Sequence, residues 1–190
     1  MLQTNLKWSF GPQTPLSDRK DDLYETPECA TKALLACESL PVGIWEPACG
    51  RGAIASVLTV AGHKVCSSDL VDYGKGYAGV DFLMEYKMPQ HCEAIVTNPP
   101  YKLAGQFVRH AINLCPKVYM MLPIYFIESQ ARSDVLDSGS LARIHVFKRR
   151  LPMMHRDGWT GPKTSSAQSH GWFVWDRDHC GPTMLDRFAY

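Results

Sequence analysis

Segments typical of β-strands and of α-helices alternate along most of the chain, and this alternation constrains the fold more than any other feature. Strand-like apolar runs occupy residues 43–47, 63–70, 78–83, 91–98, 117–122, 141–148 and 169–177. Helix-like periodicity fills most of the intervals between them, at residues 27–39, 52–61, 102–114 and 125–137. Strands that alternate with helices predict an α/β fold with a doubly wound, mostly parallel sheet, here of seven strands.

The connection between the last two predicted strands is different. Residues 149–168 contain Pro152, Gly158, Gly161 and Pro162 and show no helical periodicity. A parallel crossover usually contains a helix. We therefore expect the last of the seven strands to be antiparallel.

Length and the N-terminal sequence predict the domain organisation. A chain of 190 residues corresponds to roughly one domain. Residues 1–22 are polar, with Gly11, Pro12 and Pro15, and are predicted to form an N-terminal arm. Residues 23–190 are predicted to form a single domain.

Composition excludes several classes of protein. The formal net charge of +1 gives the chain no overall affinity for a polyanion. Without an export signal or an apolar run of ~18 residues, we expect a cytoplasmic protein that does not span a membrane. The seven cysteines form no C-x-x-C pair, which favours reduced thiols and predicts no metal site.

Functional residues are expected where strands end, because ligands of open α/β sheets bind beyond the carboxyl ends of the strands. The first predicted strand ends at Glu46, and Gly50 and Gly52 follow in a turn that lets the backbone approach a ligand. A third glycine is missing, since residue 55 is alanine. A carboxylate at this place repels phosphate and favours a cationic ligand, although Glu46 is also open to a role as a helix or ion-pair partner.

The next three strand ends carry further candidates. Asp69 follows the glycine turn at the spacing of acidic residues that bind ribose hydroxyls, with a simple cap as the alternative. Asp81 and Phe82 offer a carboxylate and an aromatic ring that suit an adenine. The fourth strand ends in Thr97-Asn98-Pro99-Pro100-Tyr101, in which two prolines stiffen the loop that holds Asn98 and Tyr101. Asn-Pro-Pro alone is also compatible with an ordinary turn.

These elements, in their order and spacing, resemble those of a known family. EPACGRG, SDL, DFL and TNPPY are similar to the motifs of class I S-adenosylmethionine-dependent methyltransferases. The NPPY element resembles that of enzymes that methylate amino groups, especially the short phage and bacterial N6-adenine DNA methyltransferases. Residues 22–27, DLYETP, look like the Y-x-T-P element of many adenine methyltransferases. The resemblance covers roughly residues 22–176.

The resemblance implies a role for each matching residue, with S-adenosyl-L-methionine as the cofactor. The residues implied to bind it are Tyr24, Thr26, Pro27, Glu46, Ala48, Gly50, Gly52, Asp69, Leu70, Asp81 and Phe82. The residues implied to act in catalysis are Asn98, Pro99, Pro100 and Tyr101. Among them, the Asn98 side chain and the Pro99 carbonyl accept hydrogen bonds from the target amine, and Tyr101 stacks on the target ring.

A basic segment suggests the substrate. Residues 143–163 carry six basic side chains against one acidic side chain, a net +5. In the resembling enzymes the loop after the sixth strand lies beside the target pocket, so we expect its exposed cationic and aromatic residues to bind nucleic acid. They are Arg149, Arg150, Arg156, Trp159 and Lys163. An ordinary solvated loop is the alternative.

The leading hypothesis is therefore methyl transfer to an exocyclic amino nitrogen, with N6 of adenine in DNA as the favoured target. The same chemistry on an RNA adenine or on a protein glutamine amide is the first alternative. A non-catalytic binding protein that retains the fold is the second, and a nicotinamide-dependent oxidoreductase is disfavoured by Glu46 and the missing glycine. No segment has the length of a separate target-recognition domain, so specificity depends on short loops, on a protein partner or on self-association.

Overall fold

The computed structural model describes residues 25–152 and 168–190, which form one sheet with helices on its two faces. The strands are β1 (Gly43–Glu46), β2 (Lys64–Asp69), β3 (Tyr77–Ala78), β4 (Ala94–Thr97), β5 (Lys117–Pro123), β6 (Leu141–Phe147), β7 (His170–Asp176) and β8 (Met184–Phe188). The α-helices are α1 (Glu28–Cys37), α2 (Ala53–Val60), α3 (Ala104–Leu114) and α4 (Ser133–Leu136). Short 3-10 helices cover Phe82–Met84, Tyr101–Leu103, Ile124–Ile127 and Gln130–Arg132.

The strand order confirms the predicted fold class. The order is β3-β2-β1-β4-β5-β7-β6-β8. Strand β7 is antiparallel to β5 and β6, and the other pairs between the described strands are parallel. The chain leaves β1 toward β2 on one side and returns to β4 on the other, which makes the carboxyl ends of β1 and β4 the switch point at which such sheets bind ligands.

The prediction of seven strands with an antiparallel last strand was wrong in its count. An eighth strand, β8, lies at the sheet edge parallel to β6, so the antiparallel strand β7 is the last but one. The sequence of β8, MLDRF, does not alternate apolar and polar residues as a half-buried strand does, and residues 184–187 are exposed. Phe188 anchors it, with its ring centroid 4.5 Å from that of Phe147.

Two further predicted elements are shorter than expected. The third strand is only Tyr77–Ala78, and Phe82 lies in a 3-10 helix rather than in a strand. The helix predicted at residues 125–137 is broken into two 3-10 helices and the four-residue α4. The Arg132 side chain donates hydrogen bonds to the carbonyls of Phe126 and Tyr125. In a continuous helix, backbone N–H groups would bond to these carbonyls instead.

Buried side chains on both faces of the sheet fix the helices in place. On one face Leu34 of α1 packs in a cluster that includes Trp172, and the Trp172 indole donates to the Ala30 carbonyl at 2.9 Å. On the other face Phe107 of α3 packs in a cluster with Trp45. Because α1 is held at its first turn, the residues just before it have a fixed position beside the ends of β1 and β4.

Within the described part of the chain, no helix has the length and apolarity needed to cross a membrane. Among the same residues, no three histidine, cysteine, aspartate or glutamate side chains are grouped in a way that could hold a metal ion.

Candidate functional site

One cleft, with a cavity volume of about 200 Å³, opens at the carboxyl ends of β1, β2 and β4. It brings together most of the residues that the sequence predicted. Those that line it are Thr26, Glu46, Ala48, Gly50, Asp69, Leu70, Asp81, Phe82, Asn98, Pro99, Pro100 and Tyr101.

The glycine turn after β1 is built from residues with positive φ angles. Gly50 has φ 50° and Gly52 has φ 78°, and residues other than glycine rarely adopt this backbone region. The Cys49 N–H donates to the Ser68 carbonyl at 3.0 Å, which ties the turn to β2. Gly50 lines the cleft. Gly52 does not line it, and its left-handed conformation lets it serve as the N-cap of α2.

Glu46 is the most buried carboxylate of the cleft, with a relative exposure of 1%. One of its oxygens accepts the Ala55 N–H in the first turn of α2 at 2.8 Å. Burial, reinforced by the negative charge of Asp69, raises the pKa of Glu46 well above its ordinary value. The side chain therefore supports a helix and also faces the cleft, and its role toward a cationic ligand stays a prediction.

Asp69 at the end of β2 connects two loops. Its carboxylate accepts the Gly50 N–H at 2.8 Å and the Val71 N–H at 3.0 Å. A carboxylate has about four acceptor positions, so two remain for a ligand. Burial and the charges of Glu46 and Asp69 raise the pKa of the nearby Cys49 thiol to about 12, which keeps it protonated and unsuited to nucleophilic attack.

Asp81 and Phe82 lie together at the rim, but in different environments. The exposed Asp81 caps its 3-10 helix by accepting the Leu83 N–H at 3.0 Å. The Phe82 ring is 2% exposed and packs against Trp45 and Phe107, with centroids 5.2 and 4.9 Å away. Little of the ring reaches the cleft, so the sequence-based picture of an aromatic face open to an adenine is not what the structure shows.

The loop after β4 forms the opposite wall, and side chains distant in sequence hold its two polar members. The Asn98 amide nitrogen donates to the Thr26 hydroxyl at 3.2 Å, which directs the amide oxygen away from Thr26. Thr26 precedes Pro27, the N-cap of α1, which begins at Glu28, so the Thr26 hydroxyl does not cap the helix and is used for this contact. The Tyr101 hydroxyl lies 3.0 Å from the Nε2 atom of His170.

Several predicted site residues are elsewhere or are not described. Pro27 and Gly52 do not line the cleft. Arg149 and Arg150 are exposed beyond β6, whose carboxyl end is at the same edge of the sheet as the cleft, but they do not line it either. Tyr24, Arg156, Trp159 and Lys163 lie outside the described residues.

Sequence reasoning missed other residues of this site. Arg51 and Glu25, 3.8 Å apart, form an ion pair at the rim. The lining also includes Cys49 and four residues that carry no motif: Tyr73, Val80, Leu103 and Phe107. Arg51 and Cys49 lie inside EPACGRG and could have been suspected from their positions, whereas the four residues without a motif are placed by tertiary packing.

The contact between Thr26 and Asn98 can be tested by substitution. Thr26→Val keeps the shape of the side chain but removes the acceptor of the Asn98 amide. For the methyl transfer predicted from the sequence, we expect kcat to fall about tenfold, the effect of one lost hydrogen bond, in a protein that remains folded.

Thr31→Val is the matched control, since the Thr31 hydroxyl is buried in α1 without a hydrogen-bond partner in the described structure. Equal loss of activity in the two variants, measured in one assay, would contradict a specific role for Thr26.

The sequence matches no protein-family model and no curated protein sequence. Solved structures do match, and the three described here are 13–14% identical to this chain. The modification subunit of a putative type I restriction enzyme from Vibrio vulnificus matches with a TM-score of 0.58 at 13% identity, over 88% of this chain and 46% of that one. This chain thus spans less than half of that subunit.

Two further structures bear on the fold. The E. cuniculi Mtq2–Trm112 complex, responsible for the methylation of the eRF1 translation termination factor, matches with a TM-score of 0.58 at 14% identity, over 83% of this chain and 100% of that one. The magnesium protoporphyrin IX methyltransferase of Synechocystis, solved with bound S-adenosylmethionine, matches with a TM-score of 0.50 at 13% identity, over 78% of this chain and 77% of that one.

The fold of this chain is that of the class I S-adenosylmethionine-dependent methyltransferases.

Proposed function

We propose that this protein transfers a methyl group from S-adenosylmethionine to an exocyclic amino nitrogen, and that its substrate is N6 of adenine in DNA. One observation carries the proposal. The acceptor-bearing loop Asn98–Tyr101 and the carboxylates Glu46 and Asp69 border the same cleft at the switch point of the sheet.

The donor set of the cleft suits this cofactor. S-Adenosylmethionine carries an ammonium group, a sulfonium and a ribose diol. A buried carboxylate at Glu46 beside the positive-φ turn at Gly50 suits the ammonium end, and the free acceptor positions of Asp69 suit the diol. A further carboxylate, Asp81, also lines the cleft and would face the adenine end.

The bound cofactor supplies an electrophilic methyl group on a positively charged sulfur. An exocyclic amine attacks it poorly, because its lone pair is delocalised into the ring. The Asn98 side-chain oxygen and the Pro99 carbonyl accept the two amine hydrogens, draw the nitrogen toward tetrahedral geometry and direct its lone pair into the cleft. Alignment of this kind can contribute ~7–11 kcal/mol to lowering a barrier.

No strong base is needed in this arrangement. The nitrogen becomes more acidic as it gains the methyl group, and water accepts its surplus proton afterwards. The high pKa of the Cys49 thiol and the helix-bound position of Glu46 leave neither group poised to act as a base toward the amine. The chain's contribution is orientation and hydrogen-bond acceptance.

The surroundings of the cleft favour a nucleic acid as the substrate. Exposed Lys102, Lys148, Arg149 and Arg150 follow β4 and β6 and therefore lie toward the edge of the sheet where the cleft opens. Cations at this edge are suited to phosphates. Extruding an adenine from a duplex costs a few kcal/mol, and stacking on Tyr101 would offset ~1–3 kcal/mol of it.

One of the similar structures supports a protein glutamine amide as an alternative substrate. The E. cuniculi complex is associated with methylation of a translation factor, and a planar glutamine amide poses the same lone-pair problem as adenine N6. Asn98 and Pro99 suit both nitrogens. The basic edge is the observation that favours a nucleic acid over a protein substrate.

The deciding experiment is a direct product analysis. Purified protein and S-adenosylmethionine are incubated with unmethylated DNA, which is then digested and analysed for N6-methyladenine by mass spectrometry. Appearance of the mark supports the proposal. If it is absent, the same assay on RNA and on a glutamine-containing peptide identifies the substrate class.

Cofactor binding separates an enzyme from a binding protein that retains the fold. A ligand at 100 times its Kd adds ~2.7 kcal/mol to the free energy of unfolding, which a thermal shift detects. No shift with S-adenosylmethionine would contradict the proposed cofactor.

A further inference from the structure

The least expected polar contact of the cleft wall joins Tyr101 to His170. The Tyr101 hydroxyl lies 3.0 Å from His170 Nε2, and the two rings are 5.8 Å apart at an interplanar angle of 33°. His170 is only 2% exposed. The two residues are 69 positions apart in the sequence.

The antiparallel direction of β7 explains why His170 is available there. The other strands of the central sheet end at the cleft edge, but β7 begins there, so its first residue lies beside their last residues. His170 pairs with Pro123, the final residue of β5, and the Ile124 N–H donates to the Ser169 carbonyl at 2.9 Å. The beginning of β7 is therefore held by the backbone as well as by the side chain.

The hydrogen bonds of His170 determine which of its nitrogens carries the proton. Nδ1 lies 3.1 Å from the Gln168 carbonyl, which can only accept, so Nδ1 donates. Burial lowers the pKa of His170, so the ring is neutral near pH 7 and Nε2 has no hydrogen. Nε2 is then the acceptor, and the Tyr101 hydroxyl is the donor.

We infer that His170 is a positioning residue of the substrate site, which fixes the plane of the Tyr101 ring on which the target group stacks. This inference rests on the proposed function, in which Tyr101 meets the substrate. A tyrosine side chain has two rotatable bonds, and a hydrogen bond at its far end restrains both. The ring is thereby ordered before the substrate arrives, which removes an ordering cost from binding.

The contact itself can be tested without a substrate. In protein labelled with ¹⁵N-histidine, the His170 ring is expected to show the Nδ1–H tautomer, and Tyr101→Phe is expected to shift its Nε2 resonance. An Nε2 resonance that is identical in the two proteins would overturn the contact.

The role of the contact is tested by a double-mutant cycle. Tyr101→Phe and His170→Leu are each expected to lower kcat/KM for the methylated substrate about tenfold, the effect of one hydrogen bond, with an unchanged Kd for S-adenosylmethionine. The double variant is expected to lose about tenfold as well, because both changes remove the same bond. Independent losses that multiply would overturn the inference.

Rescue and control variants separate positioning from folding. His170→Gln places an amide oxygen near the Nε2 position and is expected to restore most of the activity that His170→Leu loses. His63→Ala is the matched control, because His63 Nδ1 also contacts a backbone carbonyl, that of Pro41 at 2.8 Å, but lies before β2 at the opposite edge of the sheet. If His63→Ala lowered kcat/KM as much as His170→Leu, the loss would not be specific to His170, which would overturn the inference.

Failure of this inference is distinguishable from failure of the proposed function. Wild-type protein that methylates neither DNA, RNA nor a glutamine peptide contradicts the function, whereas the ¹⁵N shift still reports the contact. Active wild-type protein with an additive cycle contradicts only the role of His170.

Discussion

Asn98→Ala is expected to lower the kcat of methyl transfer by about 10²–10³-fold, a loss comparable to removing one preorganised hydrogen-bonding group from an active site. The side chain follows the buried strand β4, and its amide nitrogen is bound to Thr26. The amide oxygen is therefore already oriented before a substrate binds. Its removal leaves the amine planar and a weak nucleophile.

Cofactor binding is expected to survive this change. Glu46 and Asp69 are held by contacts with Ala55, Gly50 and Val71, none of which involves Asn98. Isothermal titration with S-adenosylmethionine should therefore give a Kd within a few-fold of the wild-type value. Asn113→Ala, at the exposed end of α3, is the matched control and should be fully active. Full activity of Asn98→Ala would contradict the proposed mechanism.

The strand-end residues of the site could be predicted from the sequence, because local rules place them. A strand followed by a glycine turn fixes where Glu46 and Gly50 lie, and parallel strands bring their carboxyl ends to one edge. Asp69 and Asn98 then follow at the same edge. The structure finds all four in one cleft.

Contacts between distant segments could not be predicted in this way. Thr26 reads locally as a helix cap, and only the packing of α1 on the sheet brings its hydroxyl to Asn98. His170 reads as the beginning of a strand, and only the reversed direction of β7 brings it to Tyr101. Phe82 follows an acidic residue as a ligand-stacking ring would, yet core contacts with Trp45 and Phe107 cover its faces. In each case long-range packing decides between two roles that the local sequence allows.

Glu46→Gln is expected to weaken the affinity for S-adenosylmethionine by about 10²–10⁴-fold, since breaking a buried charge pair costs ~3–5 kcal/mol. The amide keeps an oxygen that can accept the Ala55 N–H, so the first turn of α2 retains its partner. What is lost is the negative charge that would face the cofactor ammonium. The exposed Glu128→Gln, beyond β5, is the control with the same change of charge.

The same substitution is expected to stabilise the cofactor-free protein as the pH rises. Because the pKa of Glu46 is raised by burial, its protonated form stabilises the fold fully below the ordinary value of 4.5, and this contribution is lost as the pH climbs toward the raised value. Glutamine has no proton to lose. The free energy of unfolding of Glu46→Gln relative to wild type should therefore increase with pH above 4.5, by at most about 1.4 kcal/mol per pH unit.

The response of cofactor affinity distinguishes a ligand-binding carboxylate from a structural one. If Glu46 served only α2, its amide variant would still gain stability with pH, because that gain follows from burial, but cofactor affinity would not respond. If it meets the cofactor ammonium, the protonated wild-type side chain must release its proton on binding, so wild-type affinity rises with pH while that of Glu46→Gln stays flat. Titration calorimetry in two buffers of different ionisation enthalpy measures that proton directly. Wild-type protein that releases no proton across the window above pH 4.5 would exclude Glu46 as the partner of the cofactor's charge.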